Sequence, residues 1–364
     1  MKKILSIALA LCMLLALGVT AFADDAPAVA MITDYGDITD QSFNQTTYEA
    51  CKAFADANKL DFQYYKPASD SDEDRITSIE KAIDDGYTVI VMPGYAFGPA
   101  IQEVAPEYDD ITFIALDVSE GDIGDLAKDV PANLYCAVYQ EELCGYMAGY
   151  AAVKLGYTKL GYLGGMAVPA VVRYGYGFVQ GADAAAAELG LEGVEVKYVY
   201  GNQFYGDSDI TAYMDTWYAA GTEVVFACGG GIFTSAGEAA AKAGGKVIGV
   251  DVDQAATIDG LYGEGMTVTS AMKGLAATVN AELSAVLDGS FEGGKVDNLG
   301  LVSDVPAENF VQIAGSTQFS DSFTEADYEA LVAAMNAGDV TVSNDIDAEP
   351  AVTAITVDYQ GNIK

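Results

Sequence analysis

Residues 28–57 read AVAMITDYGDITDQSFNQTTYEACKAFADA, an apolar run, an acidic turn and then a segment of different period. The run at 28–33 (AVAMIT) is almost wholly apolar, as a strand buried on both faces should be. From Gln41 to Ala57, Phe43, Thr47, Cys51 and Phe54 recur at intervals of four, four and three, which is one face of a helix. Asp40 stands just before that helix as its expected N-cap. A buried strand feeding an amphipathic helix is the first half of a βαβ unit.

The unit recurs along the chain. Strand-like runs at 62–66 (FQYYK), 88–92 (TVIVM) and 112–116 (TFIAL) alternate with helical patterns. So do those at 133–138 (NLYCAV), 159–163 (KLGYL), 195–200 (EVKYVY), 223–227 (EVVFA) and 246–250 (KVIGV). Alternation of this kind makes parallel sheets, so the fold class is α/β. Length fits two doubly wound, Rossmann-like lobes, and the absence of a low-complexity linker makes the hinge a set of short crossovers. The expected first lobe is residues 24–132 plus about 257–295, and the second is 133–256 plus about 296–364. A helical run through Met272, Leu275, Val279, Leu283 and Val286, bordered by Lys273, is expected to complete the first lobe. A helix near 324–337 and a strand-like piece at 353–358 (TAITVD) are expected to wrap the second.

The N-terminus begins Met1-Lys2-Lys3, continues as an apolar run from Ile4 to Val19, and reaches Ala21-Phe22-Ala23 before Asp24. That order is a secretory signal, expected to be cleaved near Ala23, with the mature protein in a periplasm or at the outer face of a cell membrane. Cys12 follows Leu11 in mid-run, so no lipid anchor is expected. A net charge of −37 disfavours nucleic acid and anionic membrane surfaces as partners. The chain has no histidine, and Cys51, Cys136, Cys144 and Cys228 match no zinc spacing, which excludes His-dependent nucleophilic systems and leaves no metal or cofactor implied. Buried free thiols are the expected state, with a Cys136–Cys144 disulfide as the alternative.

Ligands of open α/β sheets bind beyond the carboxyl ends of the strands. Asp34, Pro93-Gly94, Asp117, Gly164-Gly165, Cys228 to Gly231, Asp251 and Asp253 stand there. Acids accept hydrogen bonds from hydroxyls and amines, and glycines let backbone approach a ligand, a pattern suited to a neutral polyol carrying a polar ring. The first βα turn has only Gly36 and lacks a dinucleotide fingerprint, and no phosphate-binding P-loop exists. Asp70, Asp72 and Asp74 open like a calcium loop, but Arg75 and Lys81 occupy the positions that need glycine and glutamate.

Several motifs together carry a family resemblance: Asp40-Gln41-Ser42-Phe43-Asn44, Gly164-Gly165-Met166, Tyr174-Gly175-Tyr176-Gly177-Phe178, and Gly249-Val250-Asp251-Val252-Asp253-Gln254 with Lys273 downstream. The chain resembles the basic membrane protein family of ABC-transporter binding proteins over roughly residues 27–303, and characterised members include purine-nucleoside receptors. The resemblance implies a type I periplasmic-binding-protein fold closing two lobes over a nucleoside, with no catalysis, and delivery to a membrane permease by a monomer. It implies that Phe43 stacks on the base while Asn44 and Asp117 bond its edge. Phe204, or its neighbour Tyr205, would cover the other face. Asp251 would take the ribose hydroxyls, assisted by Lys273 and backbone near Gly230. The family is usually lipid-anchored, and this chain departs from it there. Another small ligand on the same fold (a sugar, a vitamin or a signalling furanone) and an extracytoplasmic nucleoside-acting enzyme are the alternatives. A repressor core would need a helix-turn-helix where the signal stands.

Overall fold

The computed structural model describes residues 26–364; the expected export signal at 1–23 lies outside the described residues. The first series of elements is β1 (Val29–Ile32), α1 (Phe43–Asn58), β2 (Phe62–Tyr65), α2 (Asp72–Asp84), β3 (Val89–Pro93), α3 (Gly98–Glu107), β4 (Thr112–Leu116) and β5 (Leu134–Tyr139). The second is α4 (Glu141–Lys154), β6 (Lys159–Gly164), α5 (Pro169–Leu189), β7 (Val194–Tyr200), α6 (Ser208–Ala219), β8 (Val224–Cys228), α7 (Phe233–Ala243), β9 (Lys246–Asp251), α8 (Ala255–Tyr262) and β10 (Thr267–Lys273). The chain then passes through α9 (Leu275–Asp288), β11 (Lys295–Leu299), β12 (Val311–Ile313), α10 (Glu325–Asn336) and β13 (Ile355–Asn362). Among the described residues no helix is long and apolar enough to cross a membrane.

Two sheets result, one per lobe. The first has the order β11-β5-β4-β3-β1-β2 and is wholly parallel. The second has the order β12-β10-β9-β8-β6-β7-β13, parallel except for β12, which runs antiparallel to β10. Strand side chains alternate between faces. Ala30 and Ile32 pack with Ile90 and Met92 under α2 and α3, whereas Val29 and Met31 join a second core that runs on into Tyr162, Phe226 and Val250 of the other lobe. Both faces of each sheet are therefore covered, which is why the strands read as nearly unbroken apolar runs.

Strand pairing moves the expected lobe boundaries. The strand at 134–139 pairs with β4 and belongs to the first sheet, so the first crossover follows it instead of preceding it at 132. The strand at 267–273 pairs with β9 in the second sheet, although α9 after it does return to pack on α1. β11 then pairs with β5 in the first sheet, so the return at 295–296 comes too early. The physical reason is that every βα unit has the same period whichever sheet it joins; the sheet is decided by edge pairing, which periodicity does not encode. Lys273 is accordingly the buried last residue of β10, immediately before the N-cap Gly274 of α9, and no solvated flank of that helix. Cys136 and Cys144 are free and buried, on β5 and α4 respectively, as are Cys51 and Cys228.

Helices α4 and α5 pack with backbones nearly touching. A β-carbon on Gly149 of α4 would stand 2.1 Å from the carbonyl oxygen of Phe178, and one on Gly181 of α5 2.0 Å from that of Tyr146. Only glycine permits this approach. It brings the first turn of α4, which carries Glu141, beside Arg173 and Tyr174 of α5.

Candidate ligand-binding cleft

A cleft of about 900 Å³ opens between the carboxyl ends of the two sheets, within the size range of small-molecule sites. Phe43, Asn44, Asp117, Phe204, Tyr205, Gly230, Asp251 and Lys273, all eight residues singled out from sequence, line it. Asp253 does not: it is exposed, and its carboxylate accepts from the Ala255 N–H at 3.1 Å and the Ser316 hydroxyl at 2.6 Å in the turn that leads into α8.

On the first lobe, Asp40 organises the start of α1. Its carboxylate accepts from the N–H groups of Ser42 (2.9 Å), Asn44 (2.9 Å) and Gln45 (3.0 Å), and from Asn44 Nδ2 at 3.2 Å. Those bonds satisfy orphan donors of the helix end. They also fix the Asn44 amide, whose buried Oδ1 has no partner among the described residues. Phe43 opens the helix, and its half-buried ring lines the cleft while Thr47 and Cys51 on the same face are buried. Asp117, one residue past β4, has φ 57°, a left-handed conformation that aspartate tolerates. Its Oδ2 accepts from Lys273 Nζ, and its buried Oδ1 has no partner among the described residues. Burial pushes the Asp117 carboxyl up to about 6, against the pull of Lys273.

Lys273 is the hub between the lobes. Beyond Asp117, its ammonium lies 3.5 Å from Glu141 Oε1 and 3.8 Å from Asp251 Oδ1. The rings of Phe43, Tyr139 and Tyr174 surround it at 4.8, 5.6 and 5.7 Å from their centroids, within cation–π range. Burial alone would lower its pKa, but the three carboxylates outweigh that and hold the ammonium charged. Glu141 in turn accepts from Arg173 Nε at 2.6 Å. Glu141, Arg173, Tyr139 and Tyr174 were not anticipated as parts of the site. The only sequence signals were the acid pair opening α4 and the tyrosine-glycine motif at 174–178, which had no assigned role.

On the second lobe, Phe204 is held by glycines. A β-carbon on Gly165 would meet its Cδ1 at 2.5 Å, one on Gly229 at 3.1 Å, and its carbonyl accepts from the Gly231 N–H at 2.9 Å. Tyr205 is 63% exposed at the mouth, so of the two aromatic candidates Phe204 is the fixed wall. Overpacking of this kind costs about 1–3 kcal/mol. Gly165→Val is therefore expected to lower the thermal midpoint and weaken ligand capture together, measured by scanning and titration calorimetry, whereas Tyr205→Ala leaves the midpoint unchanged.

Asp251 ends β9 at φ 66°. Its Oδ2 accepts from Ser42 Oγ of the first lobe at 2.6 Å, and Tyr174 Oη donates to Oδ1 at 3.5 Å. Gln254 Nε2 donates to the Gln41 carbonyl at 3.0 Å, a further bond from lobe to lobe beside those of Ser42 and Lys273. The carboxylates at the back of the cleft are thus reached from both lobes.

Comparison with known proteins agrees with this architecture. A family model described as ABC transporter substrate-binding protein PnrA-like (Bmp) matches residues 28–328. The chain is 27% identical over 285 residues to the ABC transporter nucleoside-binding protein BmpA of Lactococcus lactis subsp. cremoris, covering 73% of this chain and 77% of that one. It is 26% identical to basic membrane protein A1 of Borrelia garinii subsp. bavariensis, covering 79% and 81%. Among solved structures, solute-binding proteins of ABC transporter systems from Conexibacter woesei and Aeropyrum pernix superpose with TM-scores of 0.68 and 0.67. Their identities are 22% and 20%; each match covers 88% of this chain, and 99% and 88% of theirs. That likeness establishes the two-lobed type I periplasmic-binding fold.

Proposed function

Since this chain belongs to the Bmp family of PnrA-like ABC transporter substrate-binding proteins, we propose that it captures a purine nucleoside in the cleft and hands it to an importing permease on the outer side of the membrane. The observation that carries the reading is a pair of buried acceptors, Asn44 Oδ1 and Asp117 Oδ1, left without partners among the described residues on side chains that line a cleft walled by Phe43 and Phe204. Unpaired buried acceptors are costly until a ligand donates to them. A base offers N–H donors on its edge and two faces for stacking, worth about 1–3 kcal/mol by substitution. Asp251 supplies acceptors for vicinal hydroxyls, and Lys273 holds the carboxylates in place. Capture follows as closure of two lobes on contacts made by both. The nucleoside-binding relative in Lactococcus supports the ligand class.

The charges lining the cleft argue for nucleosides over nucleotides. Lys66 pairs with Asp37, Arg173 with Glu141 and Lys273 with Asp117, so each basic lining residue is already matched. Asp34, Asp40, Asp122 and Asp251 are further acids of the lining, while Asp70 is paired with Arg75. A phosphate would meet like charge, with no free cation among the described lining residues to receive it. Titration calorimetry with guanosine, inosine, adenosine, their 5′-monophosphates, free ribose and other sugars tests the reading. The expected result is binding of nucleosides, monophosphates weaker by on the order of 100-fold or more, and no heat with ribose. Binding of sugars alone would discard the base-stacking site.

A further inference from the structure

The family match ends at residue 328, yet the chain continues through α10 into a tail, residues 338–364, that closes one edge of the second sheet as β13. Two residues of α5 pin this tail before β13 begins. Gln180 accepts from the Ser343 N–H at 2.9 Å and donates from Nε2 to the Ser343 carbonyl at 2.9 Å. Asp183 Oδ1 accepts from the N–H groups of Thr353, Ala354 and Ile355 at 2.8, 2.7 and 3.2 Å. Positions three apart on a helix are neighbours on one face. Residues 344–352 therefore leave α5 and return to it within a single turn, the form of an Ω-loop with its ends together.

The apolar residues of the tail divide in a telling way. Val340, Val342, Val352, Ile355, Val357 and Ile363 pack on the hydrophobic cores. Ile346, the remaining valine or isoleucine of the tail, instead lines the ligand cleft together with Val168, Pro169 and Ala170 at the start of α5. It is only half-buried, between the exposed acids Asp345 and Asp347. An isoleucine on a loop tied down by five hydrogen bonds is thus held open towards the cleft, where a ligand would cover it.

We propose that residues 344–352 form a rim of the cleft supplied from outside the family's matched region, with Ile346 a specificity-determining residue that covers an apolar face of the bound nucleoside. The flanking acids strengthen the bias against anionic ligands. The inference rests on the nucleoside reading, and the experiment separates the two. Ile346→Ala and Ile346→Asp are titrated beside the parent protein with the same panel of nucleosides and sugars. The expected result is a loss of affinity on the order of 10-fold for Ile346→Ala, a larger loss for Ile346→Asp, and a changed ratio between adenosine and guanosine. The thermal midpoint without ligand stays unchanged, because Ile346 supports no core. Equal affinities and ratios in all three proteins overturn the rim. If the parent protein binds a sugar and no nucleoside, the nucleoside reading fails, and the same comparison with that sugar decides the rim. Ile346→Cys gives an independent readout: the chain's own described cysteines are buried, so a maleimide should label position 346 and bound ligand should slow the labelling. Equal labelling rates with and without ligand would count against the rim.

Discussion

Lys273→Met is expected to destabilise the folded protein by about 3–5 kcal/mol near neutral pH, read as a lower urea midpoint. Methionine fills nearly the same volume, so little packing is lost and the deficit is electrostatic. The ammonium is the shared partner of Asp117, Glu141 and Asp251. Glu141 would retain Arg173, but Asp117 would be left buried with both oxygens unpartnered, since its Oδ1 already has none. Asp117→Asn in the Lys273→Met background removes that stranded charge and should restore a large part of the loss. A Lys273→Met protein as stable as the parent would mean that the buried charges are compensated elsewhere.

The same variant has a pH signature whose sign follows from Asp117. Burial holds that carboxyl at about 6 in the folded parent, above its ordinary 3.8. A carboxyl raised in this way keeps its proton better folded than unfolded, so its contribution is fully present below about pH 4 and is lost as pH climbs through about 6. Without Lys273 the opposing cation is gone and the folded value moves further up. The deficit of Lys273→Met should therefore be largest above about pH 7 and shrink towards about pH 5, checked by urea midpoints at the two pH values.

Much of this was legible in the sequence because the strands are buried on both faces. Runs such as TVIVM and TFIAL are short, apolar and rich in β-branched residues, as central strands of a covered parallel sheet should be, and the structure places β3 at Val89–Pro93 and β4 at Thr112–Leu116. The short edge strands β11 and β12 were not legible: KVDNL is only half-buried and VQI is three residues long. The eight site residues converge because each stands at a strand end, on a loop facing it or, like Phe43 and Asn44, in the first turn of the helix that follows, places that the βα order already marks. Their support was hidden for a different reason. Glu141 and Tyr174 reach Lys273, and Arg173 reaches Glu141, where glycines on α4 and α5 let two helices touch, and that is a contact between segments distant in sequence. Ile346 lay beyond any motif, in a tail whose course is fixed by hydrogen bonds to α5.

Asp251→Ala is expected to abolish nucleoside binding while the protein stays folded. Each hydrogen bond to a charged acceptor contributes about 1.5–3 kcal/mol, so losing two from vicinal hydroxyls weakens binding by roughly 10²- to 10⁴-fold. The carboxylate also receives Ser42 Oγ from the facing lobe, and loss of that bond alone would ease the lobes apart. Two further variants separate these roles. Ser42→Ala removes this one of the bonds between the lobes and leaves the carboxylate, so it should lower affinity only modestly. Asp251→Asn keeps the volume and tolerates φ 66°, but it trades one acceptor oxygen for a donor that faces Lys273 or the ligand. Its affinity should therefore fall close to that of Asp251→Ala. If Asp251→Asn binds like the parent in titration calorimetry and Ser42→Ala does not, the residue serves closure of the lobes and the hydroxyl-binding role must be assigned elsewhere in the cleft.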